Sequence, residues 1–356
     1  MYDGIVVGAG PGGSVAAKKC AELGMKTLIL DKRTLPRDKL CSGMIMGVMA
    51  RGIIEAEFGA IPENVLTKPA NLLGIMVHAS GIEPQIVERE MPFGWRRDLD
   101  LWMAHQAKQS GAELRDRARV ISMEQRADKC VVRLDGEALE AKFVVGADGA
   151  RSTVRRFIFP EVPVVYRTTY RECYQGEIAL DRNYFHWIFP IPHLRPRFDV
   201  NHKGECLLIE GGIKELRNEI AQFLRPLGFS PGQKLLWKDG CISGVRLAPG
   251  ASAGSFTPAR GNVLFTGDAA MLQLPVSGEG IGMALKSGLL AAQSIAESKS
   301  SKRDVADIYR RKLEPVFAVL KELTQEDKKL DEAGKSGPKA IAKAFAEGLR
   351  ATLRIA

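Results

Sequence analysis

The segment Gly8-Ala9-Gly10-Pro11-Gly12-Gly13 decides the fold, because it joins a predicted strand to a predicted helix. The apolar run Ile5-Val6-Val7 precedes it, and residues 14–23 have the composition of a helix. A second apolar run, residues 27–30, ends at Asp31. This order of strand, glycine turn, helix, strand and acid is typical of an α/β unit that binds a dinucleotide.

Each part of this segment has a predicted role in holding the pyrophosphate of the dinucleotide. Gly8 permits the tight turn, Gly10 lets the backbone approach the pyrophosphate, and Gly13 lets the helix pack closely on the strand. The N–H groups at the start of the helix attract the anion. Asp31 would accept hydrogen bonds from the hydroxyls of the adenosine ribose and would repel a 2′-phosphate.

Two further glycine motifs predict which dinucleotide is bound. Residues 144–152 form an apolar strand that runs into a Gly/Asp turn, and residues 263–270 form another that ends at Gly267-Asp268. Pro275 and a glycine-rich helix start at residues 278–284 follow the third motif. Asp268 can hold the ribityl or phosphate part of a flavin, and the helix start offers backbone N–H groups. A nicotinamide dinucleotide would need the first motif alone, so the three motifs predict FAD.

The chain resembles the FAD-dependent geranylgeranyl reductase family of the p-hydroxybenzoate hydroxylase superfold. Besides these motifs, the resemblance rests on Arg96 before Leu99-Asp100 and on the loop Pro36-Arg37-Asp38-Lys39-Leu40-Cys41-Ser42-Gly43. The resemblance covers residues 1 to about 300. The Arg37-x-Lys39-x-Cys41 loop and the Gly-Asp and Gly-Glu-Gly-Ile block discriminate this family from its relatives. The resemblance implies an α/β fold with a Rossmann-like FAD-binding domain built from discontinuous segments, an antiparallel-sheet substrate domain and C-terminal helices.

The motifs and the resemblance together predict a set of cofactor-binding residues. The set is Gly8, Gly10, Pro11, Gly12, Gly13, Asp31, Lys32, Arg37, Leu40, Cys41, Gly43, Arg96, Val120, Asp148, Gly149, Gly267, Asp268, Pro275, Gly278, Gly280 and Ile281. By resemblance, Arg96 would reach the phosphate or ring region of the flavin, and the backbone at Val120 would meet the adenine. We expect non-covalent FAD, with NAD(P)H or a small electron carrier as the reductant.

The positions of the motifs predict the domain boundaries. We expect an FAD-binding domain from residues 1–72, 93–160 and 258–300, a substrate domain from residues 73–92 and 161–257, and a C-terminal helical region at residues 301–356. Near the C-terminus, Ile341, Phe345 and Leu349 share one side of a helical wheel, whereas Lys343 and Arg350 share the other. Such a helix docks on its own domain or on a partner subunit, or it lies on an anionic membrane surface.

The predicted catalytic residues are Cys41, Trp187 and His186. By resemblance, Cys41 lies beside the flavin ring, where a thiol could form a wall, tune the flavin or supply a proton; a small buried apolar residue is the alternative. Ser42 and Met271 stand where relatives usually have glycine.

The segment Phe185-His186-Trp187-Ile188-Phe189-Pro190 resembles the substrate strand of the family, Tyr-x-Trp-x-Phe-Pro. Phe185 replaces the usual tyrosine and Ile191 the frequent lysine, which removes a possible proton donor. Trp187 and Phe189 should share one face of the strand and line an apolar pocket, although plain sheet packing would also explain them. His186 and His193 are imidazoles that could donate a proton near neutral pH.

Composition excludes several classes of protein. The six cysteines among 356 residues are scattered, without a C-x-x-C pair or a His/Cys cluster, so we expect neither disulfides nor a metal site. The net charge of +9, with only 7% aromatic residues and no binding motif, fits a membrane surface, an anionic substrate or a solvated basic surface better than nucleic acid. The apolar runs are too short to span a bilayer, and the first motif begins near residue 3, which leaves no room for a signal peptide. We therefore expect a cytoplasmic protein, with peripheral association at a membrane as the alternative.

The predicted reaction is reduction of carbon–carbon double bonds in a hydrophobic, isoprenoid-like substrate. An aromatic hydroxylase or a flavin halogenase that uses dioxygen is the alternative within the same fold. Gly94-Trp95-Arg96-Arg97 does not supply the Trp-x-Trp-x-Ile-Pro stretch of halogenases, whereas hydroxylases share the motif at residues 146–152. The Arg37-x-Lys39-x-Cys41 loop favours the reductase. A non-catalytic sensor that binds FAD is a third alternative, and the oligomeric state stays open.

Overall fold

The computed structural model describes residues 1–79, 81–189, 197–212, 214, 216–230, 232–251 and 256–355. The predictions that concern Pro190, Ile191 and His193 lie outside these residues. The described chain folds into two β-sheets with helices around them.

The strands of the described residues are β1 (Tyr2–Val7), β2 (Thr27–Leu30), β3 (Leu66–Ala79), β4 (Gln85–Gly94), β5 (Glu113–Arg115), β6 (Ser122–Gln125), β7 (Cys130–Leu134), β8 (Glu137–Gly146), β9 (Val164–Gln175), β10 (Tyr184–Phe189), β11 (Phe198–Lys203), β12 (Cys206–Gly211), β13 (Leu235–Leu247), β14 (Ala259–Arg260) and β15 (Val263–Phe265). The helices are α1 (Pro11–Glu22), α2 (Val48–Phe58), α3 (Arg96–Gln109), α4 (Thr153–Ile158), α5 (Arg217–Leu224), α6 (Ile281–Ser301), α7 (Val305–Ala333) and α8 (Pro338–Ile355). Short 3-10 turns cover Glu63–Val65, Arg225–Leu227, Gly267–Ala270 and Gly334–Ser336.

The first sheet is the Rossmann-like core that the motifs predict. Its main path runs β14-β15-β8-β1-β2-β5; the pairs from β15 to β5 are parallel, whereas β14 is antiparallel to β15 and β7 is antiparallel to β8. β1, β8 and β15 come from well-separated parts of the sequence, and each ends at one of the three glycine motifs. Because the carboxyl ends of parallel strands share one edge of the sheet, the three motifs meet there. The predicted fold class is confirmed.

Glycines let the elements at this edge approach closely. A Cβ on Gly13 would lie 1.8 Å from the carbonyl oxygen of Gly8, and one on Gly12 would lie 2.8 Å from that of Ala284 in α6. From the other side, a Cβ on Gly288 of α6 would lie 2.2 Å from the carbonyl oxygen of Gly12. No side chain fits in these gaps, so α1 and α6 pack backbone to backbone.

The second sheet has the order β13-β9-β12-β11-β10-β3-β4. Its neighbours are antiparallel except β10 and β3, which run parallel. The prediction of an antiparallel sheet therefore needs this one correction: β3 and β10 are far apart in sequence, so no hairpin forces them to be antiparallel. β3 begins at Leu66, so the predicted boundary after residue 72 falls inside a strand, and we propose to place that boundary before Leu66.

The C-terminal helices cover both sheets, α7 beside β14 and β15 and α8 on β3 and β4. The apolar side of α8 is buried against its own chain, which is one of the alternatives that the sequence left open for this helix. The buried apolar residues of α8 are Ile341, Ala342, Phe345, Ala346, Leu349 and Leu353. In the described part of the chain, no helix has the length and apolar character that crossing a bilayer requires.

Candidate active site

The glycine turn between β1 and α1 faces a chain of ion pairs. Arg37 Nε lies 2.9 Å from Asp31 Oδ2, and Arg37 Nη1 lies 3.0 Å from Asp100 Oδ2. Arg96 donates to both oxygens of Asp100, at 2.8 and 3.0 Å. A Cβ on Gly10 would lie 3.6 Å from Arg37 Nη2 and 3.9 Å from Arg96 Nη2. Two guanidinium groups therefore stand over the turn that is expected to hold a pyrophosphate.

Asp31 lies at the end of β2, where the ribose acid of a dinucleotide site is expected. Its carboxylate is buried and accepts hydrogen bonds from the backbone N–H groups of Ala9 at 3.1 Å and Arg33 at 2.9 Å. Lys32 beside it is exposed. The N–H of Ala118 donates to the Asp31 carbonyl at 2.8 Å, which brings the segment carrying Val120 alongside this end of the site.

Asp148 of the second motif caps a helix. Its Oδ2 accepts from the N–H groups of Thr153 at 2.6 Å and Val154 at 3.2 Å, and Ser152 Oγ accepts from Arg155 N at 2.9 Å. These bonds satisfy the first turn of α4. Burial raises the pKa of Asp148, against the effect of these hydrogen bonds. Gly149 follows with φ +77° and open space where a side chain would be.

Arg155 joins the second motif to the third, and the sequence analysis missed it. Its guanidinium is buried and donates to the carbonyl oxygens of Ala150 at 2.6 Å and Ala269 at 2.9 Å. The turn Gly267–Ala270, which carries Asp268, is thereby held against the second motif. The bond to Ala269 joins positions more than a hundred residues apart, and such a contact leaves no local pattern in the sequence.

The loop before α6 closes on itself around Pro275. The N–H of Leu274 donates to the Glu279 carbonyl at 2.9 Å, and the N–H of Gly278 donates to the Leu274 carbonyl at 3.0 Å. Glu279 Oε1 accepts from the N–H of Gly282 at 2.6 Å in the first turn of α6. Burial raises the pKa of Glu279 to about 7, although backbone N–H groups oppose the change. The sequence analysis did not assign Glu279 a role.

These features fit FAD. Gly10, which precedes α1, has no side chain to cap the helix, so the first N–H groups of α1 can bind a ligand, whereas Glu279 already accepts from the Gly282 N–H at the start of α6. Pro11 occupies the first turn of α1, where its missing N–H costs nothing, and Ile281 starts α6. Thr266 Oγ1, near Gly12, is a buried oxygen without a hydrogen-bond partner in the described structure. The N-terminus of α1, an acid for the ribose and cations over the glycine turn suit a two-phosphate dinucleotide.

The Cys41 loop is attached to the end of β4. The N–H of Gly94 donates to the Gly43 carbonyl at 3.1 Å, and the N–H of Ile45 donates to the Pro92 carbonyl at 3.0 Å. Gly43 has φ +79°, and a Cβ there would lie 1.9 Å from the Gly94 carbonyl oxygen. Glycine is therefore required at position 43, whereas Ser42 shows no positive φ and is tolerated.

Cations surround the Cys41 thiol, which is partly buried. Burial opposes ionisation, but Arg96, the N–H of Gly43, Arg171 and Lys39 together lower the pKa of Cys41 below its usual value. Arg96 is the cation with the largest effect on the thiol pKa. The neighbouring Leu40 carbonyl receives a weak contact from Cys241 Sγ at 3.9 Å. Cys41 therefore has the electrostatic surroundings of a reactive thiol.

An apolar cluster brings four distant segments together beside this loop. The rings of Trp187 and Phe189 in β10 lie 4.8 and 5.0 Å from that of Phe345 in α8. Met44 and Met46 of the Cys41 loop and Val276 of the third motif belong to the same cluster. Cys41 itself packs in the adjoining cluster around α2 and α6. Trp187 and Phe189 share one apolar face of β10, as predicted, but α8 covers that face and each residue is only 2% exposed, as in the packing alternative.

His186 lies on the opposite face of β10. Its Nδ1 is 2.9 Å from His78 Nε2, and its Nε2 is 2.9 Å from the Asp181 carbonyl oxygen. Burial lowers the pKa of both rings, that of His78 to about 4. His78 packs against Phe223 of α5, on the side of the sheet away from α8. The structure does not bring His186 to Cys41, because alternate residues of a strand point to opposite faces.

Asp199 is a partly buried acid that the sequence analysis missed. It lies directly across from Trp187 in the β10–β11 register, with Oδ1 3.3 Å from Arg197 Nε. Burial raises the pKa of Asp199 to about 6, although Arg197 and Arg171 oppose the change. Across the described ranges, His, Cys, Asp and Glu form no group of three arranged to hold a metal ion.

Comparison with known proteins agrees with this geometry. Residues 1–169 match the family described as FAD binding domain. A digeranylgeranylglycerophospholipid reductase of Methanocaldococcus jannaschii is 25% identical over 98% of this chain and 92% of its own length. A geranylgeranyl diphosphate reductase of Rhodobacter capsulatus is 28% identical, with 85% and 77% covered. A menaquinone reductase of Mycobacterium tuberculosis is 27% identical, with 86% and 78% covered.

Solved structures show the same fold. A geranylgeranyl bacteriochlorophyll reductase-like protein from Thermoplasma acidophilum matches with a TM-score of 0.73 and 21% identity over 99% of this chain and 90% of its own. The halogenase PltM matches with a TM-score of 0.72 and 14% identity, covering 93% and 77%. The fold, the three motifs and the FAD binding domain define an FAD-dependent oxidoreductase. Within that class the chain is similar to proteins named as geranylgeranyl and digeranylgeranylglycerophospholipid reductases, which confirms the resemblance predicted from its motifs.

Proposed function

We propose that the protein uses FAD to reduce carbon–carbon double bonds in a hydrophobic, isoprenoid-like substrate. One observation carries this proposal: the Cys41 loop places a thiol of lowered pKa beside the dinucleotide motifs, and its next residues enter an apolar cluster. The names of the relatives, which include geranylgeranyl and digeranylgeranyl groups, support the substrate class.

The residues around the glycine turn would hold the cofactor. We propose that Gly8, Gly10 and the start of α1 bind the pyrophosphate, and that Asp31 binds the ribose. Arg37 and Arg96 would neutralise the phosphates, and Asp268 with the start of α6 would bind the remainder. When bound and reduced, FAD supplies the hydride for the reaction.

The protein's own side chains would provide the proton and the dry surroundings. Saturation of a double bond requires a hydride at one carbon and a proton at the other. We propose that Cys41 Sγ holds that proton, with Arg96 stabilising the thiolate left behind. Trp187, Phe189 and Phe345, which pack against one another, would exclude water from this side of the site.

The reductant and the cellular location belong to the same proposal. NAD(P)H or a small electron carrier would reduce the FAD. A substrate of this kind is held in membranes, and the net charge of +9 would draw a cytoplasmic protein to an anionic membrane surface.

Anaerobic turnover tests the function. The FAD-loaded protein is reduced with dithionite without oxygen and mixed with lipids or diphosphates that carry geranylgeranyl chains. We expect FAD to re-oxidise only when the alkene is added, and the product to gain two hydrogens for each double bond.

A parallel reaction with oxygen, halide and phenolic substrates tests the alternatives. Oxygenated or halogenated product, with stoichiometric consumption of dioxygen, would show a hydroxylase or halogenase instead. Bound FAD without turnover in either reaction would point to the sensor.

A further inference from the structure

Two cationic side chains of the second sheet reach the backbone of the Cys41 loop. Lys203, the last residue of β11, donates from Nζ to the carbonyl oxygens of Ser42 at 2.6 Å and Gly94 at 2.8 Å. Arg171 of β9 donates from Nη1 to the carbonyl oxygen of Cys41 at 2.6 Å. Two successive loop carbonyls are therefore held by side chains more than a hundred residues away in sequence.

Strand register explains why both side chains reach the loop. Lys203 and Asp199 are four residues apart on β11, so they point to the same face of the sheet. Asp199 lies opposite Trp187 on one side and Glu210 on the other, and Glu210 lies opposite Arg171. All of these residues thus share the face on which Trp187 meets the apolar cluster.

Both side chains are buried, so their hydrogen bonds are needed to offset the free energy of burial. Arg171 and Lys203 are each only 1% exposed, and buried cations cost free energy unless they are paired or hydrogen-bonded. Arg171 forms an ion pair with Glu210. Lys203 Nζ lies 4.3 and 4.4 Å from the ring centroids of Phe93 and Trp95.

The hydrogen bonds from Lys203 to the two carbonyl groups do not depend on its charge. Burial lowers the pKa of Lys203 well below its usual value. A neutral amine still carries two N–H donors, one for each of the two carbonyls. Gly43 leaves the room for this arrangement, because a Cβ there would lie 2.7 Å from Lys203 Nζ.

We propose that Lys203 and Arg171 are positioning residues, which clamp the carbonyls of Ser42 and Cys41 and so hold the Cys41 thiol beside Arg96. The clamp bonds to the backbone of the loop, and Arg171 in addition acts on the thiol through its charge. This inference deepens the proposed function, because it concerns the same cysteine, but it is independent of what the substrate is.

The pH dependence of Cys41 alkylation tests the clamp. The FAD-loaded protein is treated with iodoacetamide across a pH series, and the peptide that carries Cys41 is followed by mass spectrometry. The midpoint of the profile reports the thiol pKa and its plateau reports accessibility. In Lys203→Met, which keeps the stem but loses both donors, we expect the midpoint to rise by about one pH unit, which slows alkylation near pH 7 about tenfold.

Lys39→Met is the matched control. Lys39 also lowers the pKa of Cys41 through its charge, but it lies in the loop itself and is partly exposed. Its loss should move the midpoint by a smaller amount and leave the plateau unchanged. A Lys203→Met protein that retains FAD and has the wild-type midpoint and plateau would overturn the inference.

A second variant covers the case in which Lys203→Met does not fold. Arg171→Lys keeps a cation that can pair with Glu210 but loses the guanidinium group, whose second nitrogen reaches the Cys41 carbonyl. The midpoint of the alkylation profile should therefore again rise. An unchanged profile in that variant would also overturn the clamp. Alkylation needs no substrate: a wild-type protein that reduces no alkene while the midpoint shifts as expected would overturn the proposed function alone.

Discussion

At the scale of single residues, Met271 departs from the pattern of the family, and the structure shows what backbone conformation this residue must adopt. The sequence has methionine where relatives usually have glycine, directly after Gly267–Ala270. Met271 has φ +59°, in the left-handed region where residues with a Cβ are strained by about 1–2 kcal/mol. A glycine would adopt this conformation without that cost.

We therefore expect Met271→Gly to stabilise the protein. Relief of the strain outweighs the roughly 0.5–1 kcal/mol of extra unfolded-chain freedom that glycine brings, which leaves a gain of about 0.5–1 kcal/mol. Urea denaturation of the FAD-loaded protein measures it. The control Ala270→Gly, at a buried residue without positive φ, should destabilise the protein. A loss of stability in both variants would show that Met271 packing matters more than its backbone.

The sequence predicted those site residues whose function is local. Asp31, Gly8 and Gly13 belong to a motif of fixed spacing, so their positions follow from the chain itself. Arg155 and Lys203 act on carbonyls that only the folded chain brings near, and their sequence context resembles that of surface residues. Such long-range backbone contacts have no sequence pattern from which they could be predicted.

At the scale of elements, the contact between α1 and α6 determines where the glycine turn lies. A methyl group on Gly288 would lie 2.2 Å from the Gly12 carbonyl oxygen and 2.8 Å from Val15 Cγ1. Because backbone cannot give way as a flexible side chain does, any substitution must push α1 away from α6.

We expect Gly288→Ala to destabilise the protein by about 1–3 kcal/mol and to weaken FAD binding, since α1 starts at the glycine turn. The control is Gly52→Ala in α2, where the new methyl group meets no atom within 4 Å. That change should instead stabilise the protein, by up to about 1 kcal/mol. Denaturant midpoints and FAD titration measure both effects. Equal behaviour of the two variants would mean that the helix contact adapts freely.

Element types followed from periodicity, but their partners did not. The alternation of Trp187 and Phe189 predicted one apolar face of a strand, and the structure has it. That α8 packs on this face, and that β10 lies parallel to β3, depend on segments far away in sequence. Periodicity indicates which face is apolar but carries no information on what packs against it.

At the scale of the whole molecule, one partly buried group and one buried group make stability depend on pH in opposite directions. The folded pKa of His78, about 4, is below its ordinary 6.5, so unfolding takes up a proton between these values and stability falls as pH falls. The folded pKa of Glu279, about 7, is above its ordinary 4.5, so stability falls as pH rises through that window. Asp199 adds to the second effect.

Removal of either group should reveal the pH dependence of stability that the other group causes. In Glu279→Gln, stability should fall more steeply from pH 6.5 to 4 than in the wild type. In His78→Gln, it should fall instead as pH rises from 4.5 to 7. Thermal midpoints across the pH series measure the slopes, and His105→Gln, at an exposed residue of α3, should leave the curve unchanged. Identical slopes in all four proteins would show that these groups are not buried in the folded state in solution.

The docking of α8 on β3 and β4 has a consequence for biosynthesis. The ribosome makes the sheet residues early, and most of the chain must be translated before α8 can cover them. Until then the apolar face of β3 and β4 is uncovered, with Leu72, Ile75 and Phe93 exposed to other nascent chains. The protein should therefore depend on a chaperone that binds apolar strands during translation, and that dependence should end when α8 leaves the ribosome.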